Sequence, residues 1–204
     1  MTTYAQLQSD VAAWLDRDDL TTRIPSFIVL AEQEVNRRLR VLEMEELSST
    51  PLSTVSQYYD LPPRFIEARN IYTDKTAIKK LGYVTPEQMV LTTPDSSSSP
   101  SPKQYTITDG KIKLDVIMAD SNNNLFIAYF KAFEALSETN TTNWLLTNAY
   151  ALLLYGSVLA AELFLYNDER LPLIKVSFDQ IILELNDQAW NARYSGDSLR
   201  IRST

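Results

Sequence analysis

The chain has 204 residues, of which 45% are hydrophobic and 22% are charged, a composition typical of a folded globular protein. It contains no cysteine and no histidine, which excludes disulfides, thiol chemistry and mechanisms that need an imidazole base or ligand. The formal net charge of −7 argues against a surface that attracts nucleic acid as a whole. The first ten residues lack the basic and apolar blocks of a signal peptide, so we expect a cytoplasmic origin.

Two helices are predicted near the start of the chain. Thr3 and Gln6 have the spacing of a capping box, and apolar residues then recur at helical spacing, which predicts a helix over 4–17. Pro25 is tolerated in a first helical turn, and the apolar pattern after it predicts a second helix over 25–42.

The polar side of the second helix carries many charges. Glu34 and Arg38 are four residues apart in the order that favours an ion pair. The basic run 37–40 has the composition of a phosphate site, but the glutamates around it favour a solvated charged face.

Residues 52–133 change to short β-branched and aromatic runs separated by turn residues, which predicts a β region. The strongest local signal is Asp109-Gly110 between alternating apolar residues, which predicts a hairpin with a type I′ turn. The serine- and proline-rich stretch 94–102 predicts a mobile surface loop. Residues 125–133 are apolar on both faces, which indicates a central strand or one covered by helices.

A charge-free stretch, 139–161, is long enough to suggest a membrane span. Its uninterrupted apolar block, Ala149 to Ala161, would be only about 20 Å long as a helix, and this is too short for the hydrocarbon core of a bilayer. We therefore predict a helix over 143–166 that is buried partly within the subunit and partly by neighbouring subunits. Gly156 in its interior indicates the close approach of another backbone.

The last helix is predicted over 172–193, with Gly196 as its left-handed cap. The fold class that follows is α+β, with N- and C-terminal helices packed around a mainly antiparallel β-sheet region. We predict one domain over 1–190 and a C-terminal arm over 191–204, in which Leu199 and Ile201 alternate with arginines.

The sequence offers few groups for catalysis or ligand binding. Glu43, Glu45 and Glu46 could supply the two carboxylates of a glycan hydrolase, but a solvated acidic patch explains them better. A hard-cation site is conceivable at Asp115, Asp120 and 122–124, although turn residues account for these positions. No catalytic residue, metal or cofactor is expected.

Four aromatic residues resemble a platform for stacking nucleic-acid bases. Because no basic groove accompanies them, a place in the core is the better interpretation. They are Tyr58, Tyr59, Tyr129 and Phe130.

Several segments, in the same order along nearly the whole chain, resemble the head–tail adaptor (connector) proteins of tailed bacteriophages. They are Val11–Glu45, Tyr59–Ile71, Gly82–Met89 and Asn143–Arg170. The resemblance implies a virion structural protein and no enzyme. It further implies a ring of about twelve subunits beneath the portal protein, which joins the capsid vertex to a downstream tail or nozzle protein. DNA would pass through this ring without specific binding, and no membrane is involved.

Two sets of residues are candidates for the contacts of such a ring. Trp144, Tyr155 and Gly156 are candidates for packing between subunits. The candidates for portal binding lie at the C-terminal end: Arg193, Tyr194, Leu199, Arg200, Ile201 and Arg202. The alternatives that remain open are a tail-tube or nozzle structural protein and, with less support, a glycan hydrolase that uses carboxylates alone.

Overall fold

The structure is a computed structural model that describes residues 2–17, 19–74, 79–92, 98–99, 101–118, 122–165 and 171–195. The helices in these residues are α1 (Tyr4–Leu15), α2 (Ile24–Arg38), α3 (Pro86–Thr92), α4 (Trp144–Asn148), α5 (Tyr150–Leu165) and α6 (Leu171–Tyr194). The strands are β1 (Glu45–Pro51), β2 (Tyr58–Asp60), β3 (Phe65–Thr73), β4 (Lys79–Lys80), β5 (Gly82–Tyr83), β6 (Ser98–Ser99), β7 (Gln104–Thr108), β8 (Lys111–Leu114), β9 (Ile117–Met118) and β10 (Asn124–Lys131). The α+β class, with helices at both ends of the chain, is confirmed.

The chain separates into two compact units. The helical unit comprises Met1–Leu42 and Phe133–Thr204, and the β unit comprises Glu43–Ala132. Two such units can belong to one domain, so the single domain over 1–190 stays a prediction.

Helix α5 is the centre of the helical unit, because α1, α2, α4 and α6 all pack against it. It is apolar on nearly every side, as expected of a helix that other helices surround. Leu152, Leu153 and Val158 are buried in it. On α2 the buried apolar side chains recur every three or four residues, which places one face of that helix in the core.

Gly156 lies where α5 comes closest to its neighbours. A methyl group at this position would be 3.0 Å from Cβ of Ala31 in α2 and 3.0 Å from Cε2 of Phe178 in α6. The close approach predicted from the sequence is confirmed, and it occurs between helices of the same subunit.

The prediction of one continuous helix over 143–166 is wrong, because the helix is divided at Ala149. Ala149 has φ −135 and ψ 43 and ends α4, and its carbonyl then accepts the N–H of Leu152 at the start of α5. In α4 the side chains of Thr147 and Asn148 donate to the carbonyls four residues earlier. Such side-chain hydrogen bonds compete with the backbone hydrogen bonds of a helix. Here they occur immediately before the break at Ala149.

The two N-terminal helices end earlier than expected from the sequence. Asp16 terminates α1 in the left-handed conformation with φ 50. After α2, Leu39 is extended, and the N–H of Arg40 donates to Oδ1 of Asn186 at 2.8 Å. A partner in α6, which no local pattern reveals, therefore draws the chain out of the second helix.

The β unit contains two four-stranded sheets, in the orders β1-β10-β3-β4 and β2-β8-β7-β5. Their pairs are antiparallel except β5 with β7. Of the two alternatives for residues 125–133, the central strand is confirmed, since β10 lies between β1 and β3. The core of this unit is aliphatic and aromatic and includes Ile71, Ile112, Leu125 and Ile127.

Three elements of the β unit differ from the sequence-based expectation. Strand β1 begins at Glu45, before the predicted β region, and pairs with β10 along its whole length. In the serine-rich stretch, Ser98–Ser99 form a short parallel strand with β9, while 93–97 and 100 lie outside the described residues. Helix α3 was not expected, although Thr85 and Gln88 form a reciprocal capping box at its start.

The hairpin of β7 and β8 is confirmed with the predicted turn. Asp109 has φ 51 and Gly110 has φ 66, as a type I′ turn requires. Strand β2 pairs with β8 on the other side, so the hairpin belongs to three consecutive antiparallel strands.

We predict that Gly110→Val destabilises the protein by more than about 1 kcal/mol. No heavy atom lies within 4 Å of the site of a Cβ at this position, so the cost would come from placing a β-branched residue at positive φ. Gly110→Asn is the matched control, because asparagine tolerates this conformation. The free energy of unfolding from urea titration gives the comparison, and equal stability of the valine and asparagine variants would contradict the prediction.

We further predict that Gly156→Leu lowers the free energy of unfolding by about 1–3 kcal/mol through overpacking. Gly82→Leu is the control, since a Cβ at Gly82 would meet its nearest atom, the Lys103 carbonyl oxygen, at an ordinary 3.8 Å. Urea titration of both variants tests the difference, and a Gly156→Leu variant as stable as the wild type would refute the close packing.

Candidate functional site

The carboxylates considered for catalysis do not converge. Glu45 pairs with Arg69, and Glu46 pairs with Lys131 at 2.6 Å. Glu45 and Glu46 are neighbours in strand β1, so their side chains leave on opposite faces of the sheet. Glu43 precedes them in a 3-10 turn and is exposed. These contacts fit the interpretation as a solvated acidic patch.

The four aromatic residues divide between core and surface. Tyr59, Tyr129 and Phe130 are buried, as the core interpretation predicts. Tyr58 is 46% exposed, and the Lys113 ammonium lies 5.6 Å from the centroid of its ring. They therefore do not form one exposed stacking surface.

Asp115, one of the candidate cation ligands, has a structural role. The Asp115 carboxylate accepts the backbone N–H of Lys103 at 3.1 Å, whereas Asp120 lies outside the described residues. Within the described part of the chain, no group of three or more acidic residues could hold a metal ion.

The basic run at the end of α2 is neutralised by its surroundings. Arg37 pairs with Glu34, and Arg38 contacts Asp179 of α6 at 2.7 Å and Glu34 at 3.6 Å. The guanidinium of Arg40 donates to the carbonyl of Asn36 at 3.0 Å. These contacts support the interpretation as a charged helix face and include the expected ion pair of Glu34 with Arg38.

Two of the three residues chosen for packing between subunits have aromatic partners in the helical unit. Trp144 stacks on Phe133, with 5.2 Å between the ring centroids and 4° between the planes. The Tyr155 ring lies 5.6 Å from that of Trp14, which is itself 41% exposed. Trp144 and Tyr155 are half-buried, so each has an edge accessible to another molecule.

The candidate residues for portal binding lie either in the last turn of α6 or outside the described residues. Arg193 and Tyr194 occupy the last turn of α6. Leu199, Arg200, Ile201 and Arg202 lie outside the described residues, as does Gly196.

A polar network that sequence analysis missed joins α2 to the connecting segment, residues 133–143, which leads from β10 to α4. Glu32 is only 4% exposed. Its Oε1 accepts the backbone N–H of Leu136 at 3.0 Å and the side-chain amide of Asn143 at 3.1 Å. One turn later, Oδ1 of Asn36 accepts the N–H of Phe133 at 3.0 Å. Two side chains of α2 thereby satisfy backbone donors that an irregular segment would otherwise leave unpaired.

Burial raises the pKa of Glu32 to about 7, although the hydrogen bonds from Leu136 and Asn143 oppose this effect. The cause is the cost of desolvating the charged form. A glutamate inside an apolar helical pattern could have signalled this site, since a buried carboxylate needs specific partners.

The surface of the helical unit also carries apolar side chains that the sequence analysis did not single out. On α6, Leu173, Val176, Leu183 and Trp190 are between 57% and 71% exposed. A cavity of about 470 Å³ opens between α2 and α5. Exposed apolar surface of this kind is typical of association sites.

These features define an α+β protein whose described surfaces suit association with other proteins. The model of the SU10 adaptor protein family matches residues 2–202. The chain therefore belongs to this family of phage head–tail adaptors, which are structural virion proteins, and the family resemblance found in the sequence is confirmed. No curated protein sequence matches the chain. Among the described residues, no helix combines the length and apolar character needed to cross a bilayer.

We predict that Glu32 makes the stability of the protein fall as pH rises. The folded chain holds the Glu32 proton more tightly than the unfolded chain, because its pKa is raised from 4.5 to about 7. The stabilisation is therefore complete below pH 4.5 and is lost between pH 4.5 and about 7, by roughly 2–4 kcal/mol. Glu32→Gln keeps an oxygen for both hydrogen bonds and should remove this pH dependence.

Chemical denaturation at a series of pH values, for the wild type and for Glu32→Gln, measures the effect as the difference between the two curves. Glu138→Gln is the control, because Glu138 is an exposed carboxylate in the same connecting segment. Parallel curves for the wild type and Glu32→Gln would show that burial does not govern this titration.

Proposed function

We propose that the protein is a head–tail adaptor that forms a ring beneath the portal protein, joins the capsid vertex to the tail and lets DNA pass. The observation that carries this proposal is the family match over residues 2–202, nearly the whole chain. The function needs association surfaces and no catalytic residue, metal or cofactor.

The ring is proposed to contain about twelve subunits, each meeting its two neighbours through two different surfaces. The accessible edges of Trp144 and Tyr155 support a role in this packing. Gly156 contributes in another way, since it brings α2, α5 and α6 together and lines the cavity between α2 and α5.

The portal is proposed to bind the C-terminal end of the chain. Arg193 and Tyr194 close α6, and the sequence that follows alternates Leu199 and Ile201 with two arginines. An extended segment with this alternation has one apolar and one basic face. The apolar side chains would fill a crevice of the portal, and Arg200 and Arg202 would pair with acidic groups on its walls.

The remaining partners follow from the position of such a ring. A downstream tail or nozzle protein would occupy the face opposite the portal, and the ring would reside in the neck of the virion after synthesis in the host cytoplasm. The net charge of −7 on each chain suits a channel through which DNA passes without being held.

We predict that deletion of residues 195–204 abolishes portal binding and leaves the melting temperature unchanged. The helical core ends before this segment, since the last buried side chain described in α6 is Ala189. Binding is measured as co-elution of adaptor and portal in size-exclusion chromatography with light scattering. A truncated protein that still co-elutes fully with the portal would rule out the arm.

A point-mutant pair refines this test. Arg200→Ala with Arg202→Ala should weaken co-elution with the portal. Arg17→Ala removes an exposed arginine that pairs with Asp19 and should have no effect. Equal binding by both variants would show that the arginines of the arm do not contact the portal.

A further inference from the structure

The connecting segment is attached to α2 by two contacts of different chemistry. In the first, the N–H of Phe133 donates to Oδ1 of Asn36 at 3.0 Å. In the second, Oε1 of Glu32 accepts the N–H of Leu136 at 3.0 Å and Nδ2 of Asn143 at 3.1 Å. We call the first contact the pivot and the second the latch. The amide of Asn36 does not titrate, whereas the carboxyl group of Glu32 does, so only the latch can respond to pH.

The latch also determines how α4 begins. Oδ1 of Asn143 accepts the N–H of Leu146 at 2.8 Å and caps this helix. Nδ2 of the same amide donates to Glu32 and to the carbonyl of Glu134, so Glu32 helps to orient the capping group. Trp144 is the next residue, and the latch therefore reaches a candidate for packing between subunits.

Between the pivot and the cap, residues 135–140 form a turn with its own hydrogen bonds. The N–H of Ser137 donates to the carbonyl of Asn140 at 2.9 Å, and the N–H of Asn140 donates to Oγ of Ser137 at 3.0 Å. The side chain of Asn140 donates to the carbonyl of Ala135 at 2.8 Å. Release of the latch would break the two hydrogen bonds to Glu32 and expose Leu136, which is 4% exposed, but it would leave this turn intact.

The charges around Glu32 do not favour its ionised form. Helices α1 and α5 pack against α2, and the charged residues of these two helices and of the connecting segment are all acidic, while α4 has none. The arginines at the end of α2 and beyond it, Arg37, Arg38 and Arg40, bond to other carboxylates and to backbone carbonyls. A charge on buried Glu32 therefore faces the cost of desolvation without a described ion pair. The acidic residues around it are Asp10 in α1, Glu162 in α5, and Glu134 and Glu138 in the segment.

We propose that Glu32 is a pH-sensitive latch: ionisation of its carboxyl group releases residues 135–143 from α2, while the pivot at Phe133 stays in place. Water can solvate the carboxylate only after the turn has moved, because Glu32 is 4% exposed with the turn in position. The released form is a minor state of the folded protein, and its population rises with pH. The latch does not depend on the proposed ring.

The direction and size of the effect follow from the titration of Glu32. Its pKa is about 7 with the latch closed, because of burial, and returns towards 4.5 when water reaches the carboxyl group. The closed form therefore holds the proton more tightly, and the released form gains population between pH 4.5 and about 7 and no further above that. Between pH 5 and pH 8 the gain is on the order of 100-fold.

Hydrogen exchange of single backbone amides, measured by NMR on the full chain at pH 5 and pH 8, tests this proposal. The result is expressed as a protection factor, which removes the intrinsic effect of pH on exchange. We expect the amides of Leu136 and Leu146 to lose protection on the order of 100-fold. Phe133 is the internal control, since its acceptor is neutral, and Val158 in the buried part of α5 reports unfolding of the whole unit. Phe133 should follow Val158.

Low concentrations of urea show whether the opening is local. Exchange of Leu136 should be nearly insensitive to urea, because releasing the turn exposes little surface, whereas exchange of Val158 should accelerate. Equal protection of Leu136 and Val158 at pH 8 would overturn the proposal, because the turn would then leave α2 only when the whole unit unfolds. A loss of protection at Phe133 as large as that at Leu136 would also overturn it.

Two variants assign the effect to Glu32. Glu32→Gln keeps an acceptor oxygen but cannot ionise, so Leu136 should have the same protection at both pH values. Glu138→Gln removes an exposed carboxylate of the same segment and should behave as the wild type does. A pH-dependent loss that persists in Glu32→Gln would refute the latch. If that variant does not fold, the comparison of Leu136 with Phe133 and Val158 in the wild type still decides.

Discussion

The packing of α5 against α2 is the contact on which the helical unit depends. Helix α2 precedes the β unit in the sequence, within Met1–Leu42, and α5 follows it, within Phe133–Thr204. Their approach is close enough that a single methyl group at Gly156 would meet both Ala31 and Phe178 at 3.0 Å. One glycine therefore sets the spacing of three helices, and the same small residues leave the cavity open at the surface.

The second constraint is that the backbone N–H groups of the segment that follows the β unit need hydrogen-bond acceptors. The connecting segment has no helix or strand in 133–142, so its backbone donors need other partners. Glu32 and Asn36, one turn apart on α2, provide them. Burying a carboxylate for this purpose is costly unless it is hydrogen-bonded, and the raised pKa of Glu32 reflects that cost.

Local signals in the sequence predicted those elements whose backbone conformation is set by a few neighbouring residues. The hairpin at Asp109-Gly110 was predictable because a type I′ turn requires residues that tolerate positive φ. Strand β1 was not predicted, since its sequence of glutamates, serines and a proline has low strand propensity and it forms by pairing with β10. The cavity between α2 and α5 and the exposed apolar side chains of α6 depend on which helix faces remain exposed after folding, and this is a tertiary property. The capping box at Thr85 and Gln88 is a local signal for α3 that the sequence does carry.

The division of the helical unit between two chain segments has a consequence for the order of events during synthesis. The strands of the β unit pair within Glu43–Ala132, so this unit can fold while the ribosome is still making the rest. Helices α1 and α2 must wait for α5, and closing so long a loop slows folding. The helical core is therefore complete only after nearly the whole chain has been translated, because the close contact at Gly156 joins residues of α2, α5 and α6.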